Sequence, residues 1–128
     1  EQKLPVTVLG WQSDIEKVLS AADIVVLTSD NEGTPLSLIQ AGMAELPVVT
    51  TNVGSVPEIV LNDITGIIAE LEVQQIADAL ENLVNNPGLR TQLGAAAKNF
   101  TLANFGVQRL VHDHEDLYKR LLSSPTKS

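Results

Sequence analysis

Short apolar runs alternate with helix-like patterns along this chain, and that alternation limits the possible folds more than any other feature. Runs rich in β-branched residues predict strands near residues 6–9, 24–28, 47–51 and 66–69. The run at 24–28 (IVVLT) does not alternate with polar residues, which is typical of a strand covered on both faces. Helical patterns fall between the strands and over residues 73–122. We therefore predict an α/β fold in which helices cover a parallel sheet.

Residue types suited to helix ends mark where several helices begin and end. Ser13 and Glu16 have the spacing of a capping box ahead of the first helix. Thr34 offers a side-chain oxygen to cap the second helix, and Pro35 tolerates its first position. The sequence Asn-Pro-Gly at 86–88 is expected to separate two of the C-terminal helices.

The last predicted helix carries an apolar stripe, and we expect this stripe to pack against the core. Its members are Val107, Leu110, Val111, Leu117 and Leu121. Beyond the helix, residues 123–128 are predicted to fray. At 128 residues, the whole chain has the length of a single domain.

The composition excludes several classes of function. Eight Lys and Arg against sixteen Asp and Glu give a net charge of −8, which argues against nucleic acid or anionic lipid as a general partner. No cysteine is present, so disulfides, thiolate metal sites and a cysteine nucleophile are excluded. The sequence contains no secretory leader pattern and no apolar run near the ~20 residues of a membrane span. We expect a soluble, cytoplasmic domain that binds any anion locally.

Two loops lie where parallel sheets commonly bind ligands, beyond the carboxyl ends of strands. The first, residues 29–35 (SDNEGTP), leads into a helix N-terminus whose free N–H groups suit hydroxyls or phosphate oxygens. The second, residues 52–55 (NVGS), contains Gly54, which lets a ligand approach the main chain closely. The residues alone leave open a simpler interpretation, in which each loop is an ordinary polar turn beside a capped helix.

Several ordered motifs make the pattern more specific. They are Leu9-Gly10-Trp11, Ala21-Ala22-Asp23, Glu32-Gly33-Thr34-Pro35-Leu36, Leu46-Pro47-Val48-Val49, Gly54-Ser55-Val56-Pro57-Glu58, Gly66-Ile67-Ile68 and Asn86-Pro87-Gly88-Leu89-Arg90. In order and spacing, they resemble the donor-binding lobe of family 4 (group 1) retaining glycosyltransferases, whose GT-B fold has two Rossmann-like lobes. The resemblance implies that residues 1–128 are a partial nucleotide-sugar-binding domain, the C-terminal lobe of such an enzyme.

The resemblance also implies a set of site residues. In the family, two glutamates separated by seven residues face the donor. Glu32 matches the first, which approaches the transferred sugar, and we assign it the catalytic role because a carboxylate accepts strong hydrogen bonds from sugar hydroxyls. The N–H groups of Gly33, Thr34 and Leu36 are expected to complete the donor pocket.

The remaining donor-binding residues include one departure from the family pattern. Gly54 and Ser55 are expected to close the nucleotide side of the pocket. The second family glutamate, which takes the ribose hydroxyls, is replaced by Gln40. An amide offers the ribose one acceptor oxygen and a donor, so we expect donor affinity to fall by about 1–2 kcal/mol. A second departure is Glu45, where the family usually has a helix-ending glycine, and we expect Pro47 to enforce that turn.

By resemblance, the intact parent transfers a hexosyl group from a UDP- or GDP-sugar to an acceptor hydroxyl, with retention of configuration. It needs no cofactor or metal, and it works in the cytoplasm or peripherally at a membrane. The cluster at 112–116 (HDHED) is not expected to hold a metal, because His112 and His114 point to different faces of a helix. A complete lobe has two further strand–helix units with basic residues for the diphosphate, and an acceptor lobe precedes it. Without them, we expect this stretch to be inactive by itself.

The strand order of such lobes, 3-2-1-4-5-6, separates the 6–9 strand from the 24–28 strand by two strands that this chain lacks. We expect the chain either to pair these strands directly or to borrow strands from another copy as a homo-oligomer, because open sheet edges invite pairing. The alternative function is a non-catalytic α/β association module from a truncated or diverged paralogue. Gln40 and the short N-terminal part favour that alternative, whereas the Glu32-Gly33-Thr34-Pro35 loop argues against it.

Overall fold

The computed structural model describes residues 4–123 of the chain. In chain order, the elements are α1 (Ile15–Ser20), β1 (Val25–Leu27), α2 (Leu36–Met43), β2 (Val48–Thr51), α3 (Val56–Ile59), β3 (Ile67–Ala69), α4 (Val73–Asn85), α5 (Pro87–Phe105) and α6 (Val107–Ser123). Strands and helices alternate as predicted, and helices fill the C-terminal part. The predicted break at 86–88 is confirmed, because Asn86 ends α4 and precedes α5.

The strands form one parallel sheet in the order β1-β2-β3. Val25 is paired with Val48, and Val49 is paired with Ile67. The α/β class is therefore confirmed, as are the strands predicted near 24–28, 47–51 and 66–69. Every residue of the central strand β2 is buried.

Successive side chains of β2 point to opposite faces of the sheet and enter two separate hydrophobic clusters. Val48 packs with Leu38 and Ile39 of α2 on one face. Val49 packs with Leu83 of α4 and Leu93 of α5 on the other. The sheet is thus the middle layer of three, and its central strand is covered on both faces.

Residues 6–9 do not form the predicted strand. They adopt no regular structure, and Val8 is 89% exposed. A strand needs a hydrogen-bonding neighbour, and the structure places no strand of residues 4–123 beside this segment. Direct pairing with β1 is therefore not formed, while strand borrowing from another copy stays a prediction. The expectation that 24–28 is covered on both faces is also wrong at the sheet edge, where Val26 is 43% exposed.

Two predicted helix caps are wrong by about one residue. The cap of α1 is Asp14 rather than Ser13, and its carboxylate accepts a hydrogen bond from the Lys17 N–H at 3.4 Å. The N-cap position of α2 is held by Pro35, without a side-chain hydrogen bond. Thr34 therefore lies one residue too early for its hydroxyl to cap the helix.

The end of α2 also differs from the prediction. Glu45 itself adopts the left-handed conformation, with φ of 62°. The N–H of Leu46 bonds the carbonyl of Ala41 at 3.0 Å, and that of Glu45 bonds Gly42 at 2.9 Å, which is a Schellman arrangement. The turn is therefore made by Glu45, not enforced by Pro47.

The apolar stripe of α6 is not buried as expected. None of the residues of α6 is buried, although the helix packs on the end of α5. Helices α4 and α5 cover the Val49 face of the sheet, and neither hydrophobic cluster includes a residue of α6. Ser123 is the last residue of α6, and the rest of the predicted frayed tail lies outside the described residues. Within residues 4–123, no helix has the length and apolar character that a membrane span requires.

Candidate functional site

The two loops singled out in the sequence meet directly at one edge of the sheet. They follow β1 and β2, which are adjacent parallel strands whose carboxyl ends point the same way. The N–H of Ser55 in the second loop donates to the carbonyl of Gly33 in the first, at 3.3 Å. The hydroxyl of Ser55 donates to the same carbonyl. The two loops therefore form a single unit, which we call the loop pair (residues 29–35 and 52–55).

Gly54 is the point of closest approach within the loop pair. Its φ is +52°, and a Cβ added here would lie 1.7 Å from the main-chain oxygen of Glu32. A side chain at this position would collide with the main chain that carries Glu32. The space that the glycine leaves open is thus filled by the protein's own backbone. Gly54 therefore helps to fix the position of the Glu32 main chain.

The Glu32 side chain is held at one oxygen and open at the other. Ser29 Oγ donates to Glu32 Oε1 at 2.6 Å, and both residues are half-buried. Within residues 4–123, Glu32 Oε2 accepts no hydrogen bond and Glu32 forms no ion pair. The carboxylate is therefore neither buried in a salt bridge nor satisfied inside the protein.

Sequence reasoning missed the residues that hold Glu32. Ser29 is the donor to its carboxylate, and Thr51, which is fully buried at the end of β2, donates its hydroxyl to the Ser29 carbonyl at 2.5 Å. The three-residue spacing from Ser29 to Glu32 was a usable signal, since it is the spacing of a local turn. The Thr51 contact joins residues 22 apart and required the sheet to be known.

The N-terminus of α2 lies next to the loop pair. Thr34 and Leu36 are exposed there, with Leu36 at 62%. The first turn of a helix leaves N–H groups without intrahelical partners, so this end presents donors and the positive end of the helix dipole. An oxygen-rich or anionic ligand suits both features.

Gln40 faces a different feature of the surface. It lines a groove of about 580 Å³ between α1 and α2. The other lining residues are Ile15, Glu16, Leu19, Ser20, Met43 and Ala44. Glu32 is not part of this lining. The structure therefore brings Glu32, Gly33, Gly54 and Ser55 together, and places Gln40 in a mostly apolar groove along the same helix.

Several charged side chains elsewhere form ion pairs with one another. Lys17 pairs with Asp14 at 2.7 Å, and Lys98 pairs with Glu45 at 2.8 Å. In the described part of the chain, no group of three or more His, Asp or Glu side chains has a metal-binding arrangement. His112 lies 3.4 Å from Asp116, whereas the His114 ring contacts the Leu110 carbonyl.

The chain is similar to a known family and to curated proteins. Residues 2–100 match the family described as glycosyl transferases group 1. Over 115 residues, the chain is 27% identical to N-acetyl-alpha-D-glucosaminyl L-malate synthase of Bacillus anthracis, covering 89% of this chain and 30% of the relative. Over 111 residues, it is 30% identical to the UDP-Gal:alpha-D-GlcNAc-diphosphoundecaprenol alpha-1,3-galactosyltransferase of Escherichia coli, covering 86% and 28%.

Among solved structures, Anabaena HepE in complex with UDP is similar, with a TM-score of 0.80 at 23% identity, covering 91% of this chain and 32% of HepE. HepE has also been solved with UDP-glucose, and that structure gives a TM-score of 0.77. At this identity the likeness shows the fold, and it confirms the predicted GT-B relationship. The chain spans about 30% of the length of the curated relatives named above. Since the family match extends over most of its residues, the chain belongs to the group 1 glycosyl transferases.

Proposed function

We propose that this chain is the nucleotide-sugar-binding part of a retaining glycosyltransferase that transfers a hexosyl group to an acceptor hydroxyl. One observation carries the donor-binding role. Glu32 stands half-buried beside the N-terminus of α2, with one oxygen fixed by Ser29 and no ion pair among the described residues. A carboxylate in that position accepts hydrogen bonds from sugar hydroxyls, while the N–H groups at the helix end donate to other oxygens of the nucleotide sugar.

In this proposal, each site residue contacts a different part of the nucleotide sugar. Glu32 orients the transferred sugar, and the N–H groups of Gly33, Thr34 and Leu36 meet its neighbouring oxygens. Gly54 and Ser55 lie on the nucleotide side and also hold the main chain at positions 32 and 33, as their contacts indicate. Gln40 faces the ribose from the groove between α1 and α2.

The names of the compared proteins support a UDP-sugar as the first donor to test. The Escherichia coli relative is described as acting on UDP-Gal, and HepE was solved with UDP-glucose. A GDP-sugar is the second choice. Catalysis in this scheme consists of placing the donor and stabilising the departing diphosphate, with no cofactor or metal required of this chain. We place the intact parent in the cytoplasm, where it works with an acceptor lobe.

A titration of the chain with UDP, UDP-glucose, GDP and GDP-mannose tests this proposal. We expect saturable binding of one nucleotide and of the corresponding nucleotide sugar, measured by calorimetry or ligand-observed NMR. Adenosine diphosphate is the matched control, because it carries the same diphosphate on a different base. Binding of none of these ligands would contradict the proposal.

The second candidate is a non-catalytic association module. It is favoured by the exposed edge at Val26, by the uncovered stripe of α6, and by glutamine at position 40. This candidate predicts self-association without nucleotide binding. The ligand titration separates the two candidates, because the first predicts nucleotide binding and the second predicts none.

A further inference from the structure

Ser29 holds one oxygen of the Glu32 carboxylate, and its other contacts suggest a role in recognition of the donor's sugar. We infer that Ser29 is a positioning residue for Glu32, held in its own place by Thr51, and that this pair sets the direction in which the carboxylate meets the donor's sugar. This inference rests on the proposed function. It adds two side chains whose contribution is to the sugar moiety rather than to the nucleotide.

A hydrogen bond from Ser29 occupies one oxygen of the Glu32 carboxylate. Ser29 Oγ lies 2.6 Å from Glu32 Oε1, which is the short distance of a hydroxyl bound to a carboxylate. Because Oε1 is occupied, Oε2 is left for a ligand. A glutamate without this contact has three free side-chain torsions and presents either oxygen in many directions.

Ser29 is itself held in place by the central strand of the sheet. Thr51 is 0% exposed and lies at the end of β2, whose main chain is paired with β1 and β3. Its hydroxyl donates to the Ser29 carbonyl at 2.5 Å. The position of Ser29 is therefore tied to the central strand of the sheet rather than to the loop alone.

The main chain of Glu32 is fixed independently of Ser29. Gly54 packs against the Glu32 carbonyl, and Ser55 bonds the Gly33 carbonyl. With the backbone held from one loop, only the side-chain torsions of Glu32 remain to be set. Ser29 sets them, so the site is arranged before the sugar arrives and less ordering is needed on binding.

This arrangement predicts a selective effect. The loss of the Ser29 hydroxyl weakens the contribution of the sugar to binding and leaves nucleotide binding unchanged. A purely structural role for Ser29 would weaken UDP and UDP-glucose alike. The measured quantity is therefore the ratio of the UDP Kd to the UDP-glucose Kd, which isolates the sugar.

The experiment compares this ratio across four proteins by calorimetry. We expect Ser29→Ala to lower the ratio about fivefold, since a hydrogen bond to a charged group is lost. Ser29→Thr keeps the hydroxyl and should keep the ratio within about twofold of the wild-type value. Ser123→Ala is the matched control, because within residues 4–123 its hydroxyl donates to the Arg120 carbonyl at the end of α6, far along the chain from the loop pair.

Three additional variants, Thr51→Val, Glu32→Gln and the Glu32→Gln/Ser29→Ala double variant, keep the test decisive. Thr51→Val removes the donor to Ser29 with little change in shape, and we expect it to lower the ratio in the same direction. In a Glu32→Gln background, Ser29→Ala should change the ratio no further, because the two side chains act as one unit. Far-UV circular dichroism confirms that each variant is folded.

The outcomes separate the two levels of the account. If the wild type binds UDP-glucose and Ser29→Ala keeps the wild-type ratio, the positioning role is wrong while the proposed function stands. Equal weakening of UDP and UDP-glucose in Ser29→Ala also overturns the positioning role. If the wild type binds neither ligand, the proposed function fails and the role of Ser29 fails with it.

Discussion

Strand β2 and helix α6 both carry apolar side chains, and they bury them to opposite extents. All residues of β2 are buried, whereas none of those of α6 is. The strand has a neighbour on each side and a cluster of helix side chains on each face. Helix α6 packs on the end of α5. Burial in this chain is therefore decided by the number of neighbours that an element has, and not by how apolar its sequence is.

The candidate site belongs to the first of these regions. Thr51 at the end of β2 holds Ser29, and Gly54 follows in the next loop and packs against Glu32. The site is thus attached to the best-packed strand of the domain. We expect changes at the sheet to alter both stability and donor binding, and changes on α6 to alter neither by much.

The largest effect is expected in the core beside β2. Leu83 is fully buried against Val49, and Leu83→Ala should lower the free energy of unfolding by about 2–5 kcal/mol through lost burial and a cavity. Leu122, which is 87% exposed on α6, is the matched control, and Leu122→Ala should change it by about 0.5 kcal/mol or less. Urea unfolding measures both. Equal losses for the two leucines would refute the contrast between the regions.

The next effect is expected in the loop pair. Gly54→Ala places a methyl group 1.7 Å from the Glu32 carbonyl at a φ of +52°, so the loop must move. We expect a loss of about 2 kcal/mol or more in unfolding free energy, together with loss of UDP-glucose binding. Gly88→Ala is the control, because nothing lies within 4 Å of the added Cβ inside α5. That change should be neutral or slightly stabilising. A wild-type affinity in Gly54→Ala would show that the close approach is unimportant.

A gain in stability is expected at the end of α2. Glu45 adopts a left-handed conformation that costs a non-glycine residue about 1–2 kcal/mol, and Glu45→Gly removes this cost. The change also removes the Lys98 ion pair, which is about half exposed and therefore contributes little. We expect the free energy of unfolding, measured by thermal or urea unfolding, to increase by about 0.5–1 kcal/mol. Lys98→Ala, which removes only the ion pair, should be nearly neutral, and a large loss there would mean that the pair is more important than its exposure indicates.

The smallest effect on stability is expected at the free edge of the sheet. Val26 on β1 is 43% exposed, so Val26→Lys should lower the unfolding free energy by less than about 1 kcal/mol. If the chain borrows strands from another copy, the charged edge should instead shift it toward the monomer in light scattering. A wild-type protein that is already monomeric would contradict the predicted homo-oligomer.

The predictions from sequence succeeded where one local pattern determines the structure. The runs at 24–28, 47–51 and 66–69 became strands because each has a parallel neighbour. The equally apolar run at 6–9 did not, since no strand of the described residues lies beside it. Period and composition cannot reveal whether a partner is available.

The same limit applies to the candidate site. The loops that contain Glu32 and Gly54 were identified from their motifs, but their direct contact was not, because it joins residues 22 apart through the sheet. Thr51 was missed for the same reason, since its contact with Ser29 also joins residues 22 apart. Ser29 lies only three residues before Glu32, and that local spacing was a signal that was not used. The left-handed turn made by Glu45 at the end of α2 was missed as well. Glu45 is not a glycine, so its residue type does not suggest a left-handed conformation.

The most direct test of the account is the contribution of the Glu32 carboxylate to sugar recognition. Calorimetry should compare UDP and UDP-glucose binding to the wild type, Glu32→Gln and Glu81→Gln, the last being an exposed carboxylate on α4. We predict that Glu32→Gln lowers the affinity for UDP-glucose about tenfold and leaves the affinity for UDP unchanged. The Glu81→Gln variant should bind both ligands with wild-type affinity. Identical affinities for UDP-glucose in Glu32→Gln and the wild type would contradict the assignment of this loop pair to the donor sugar.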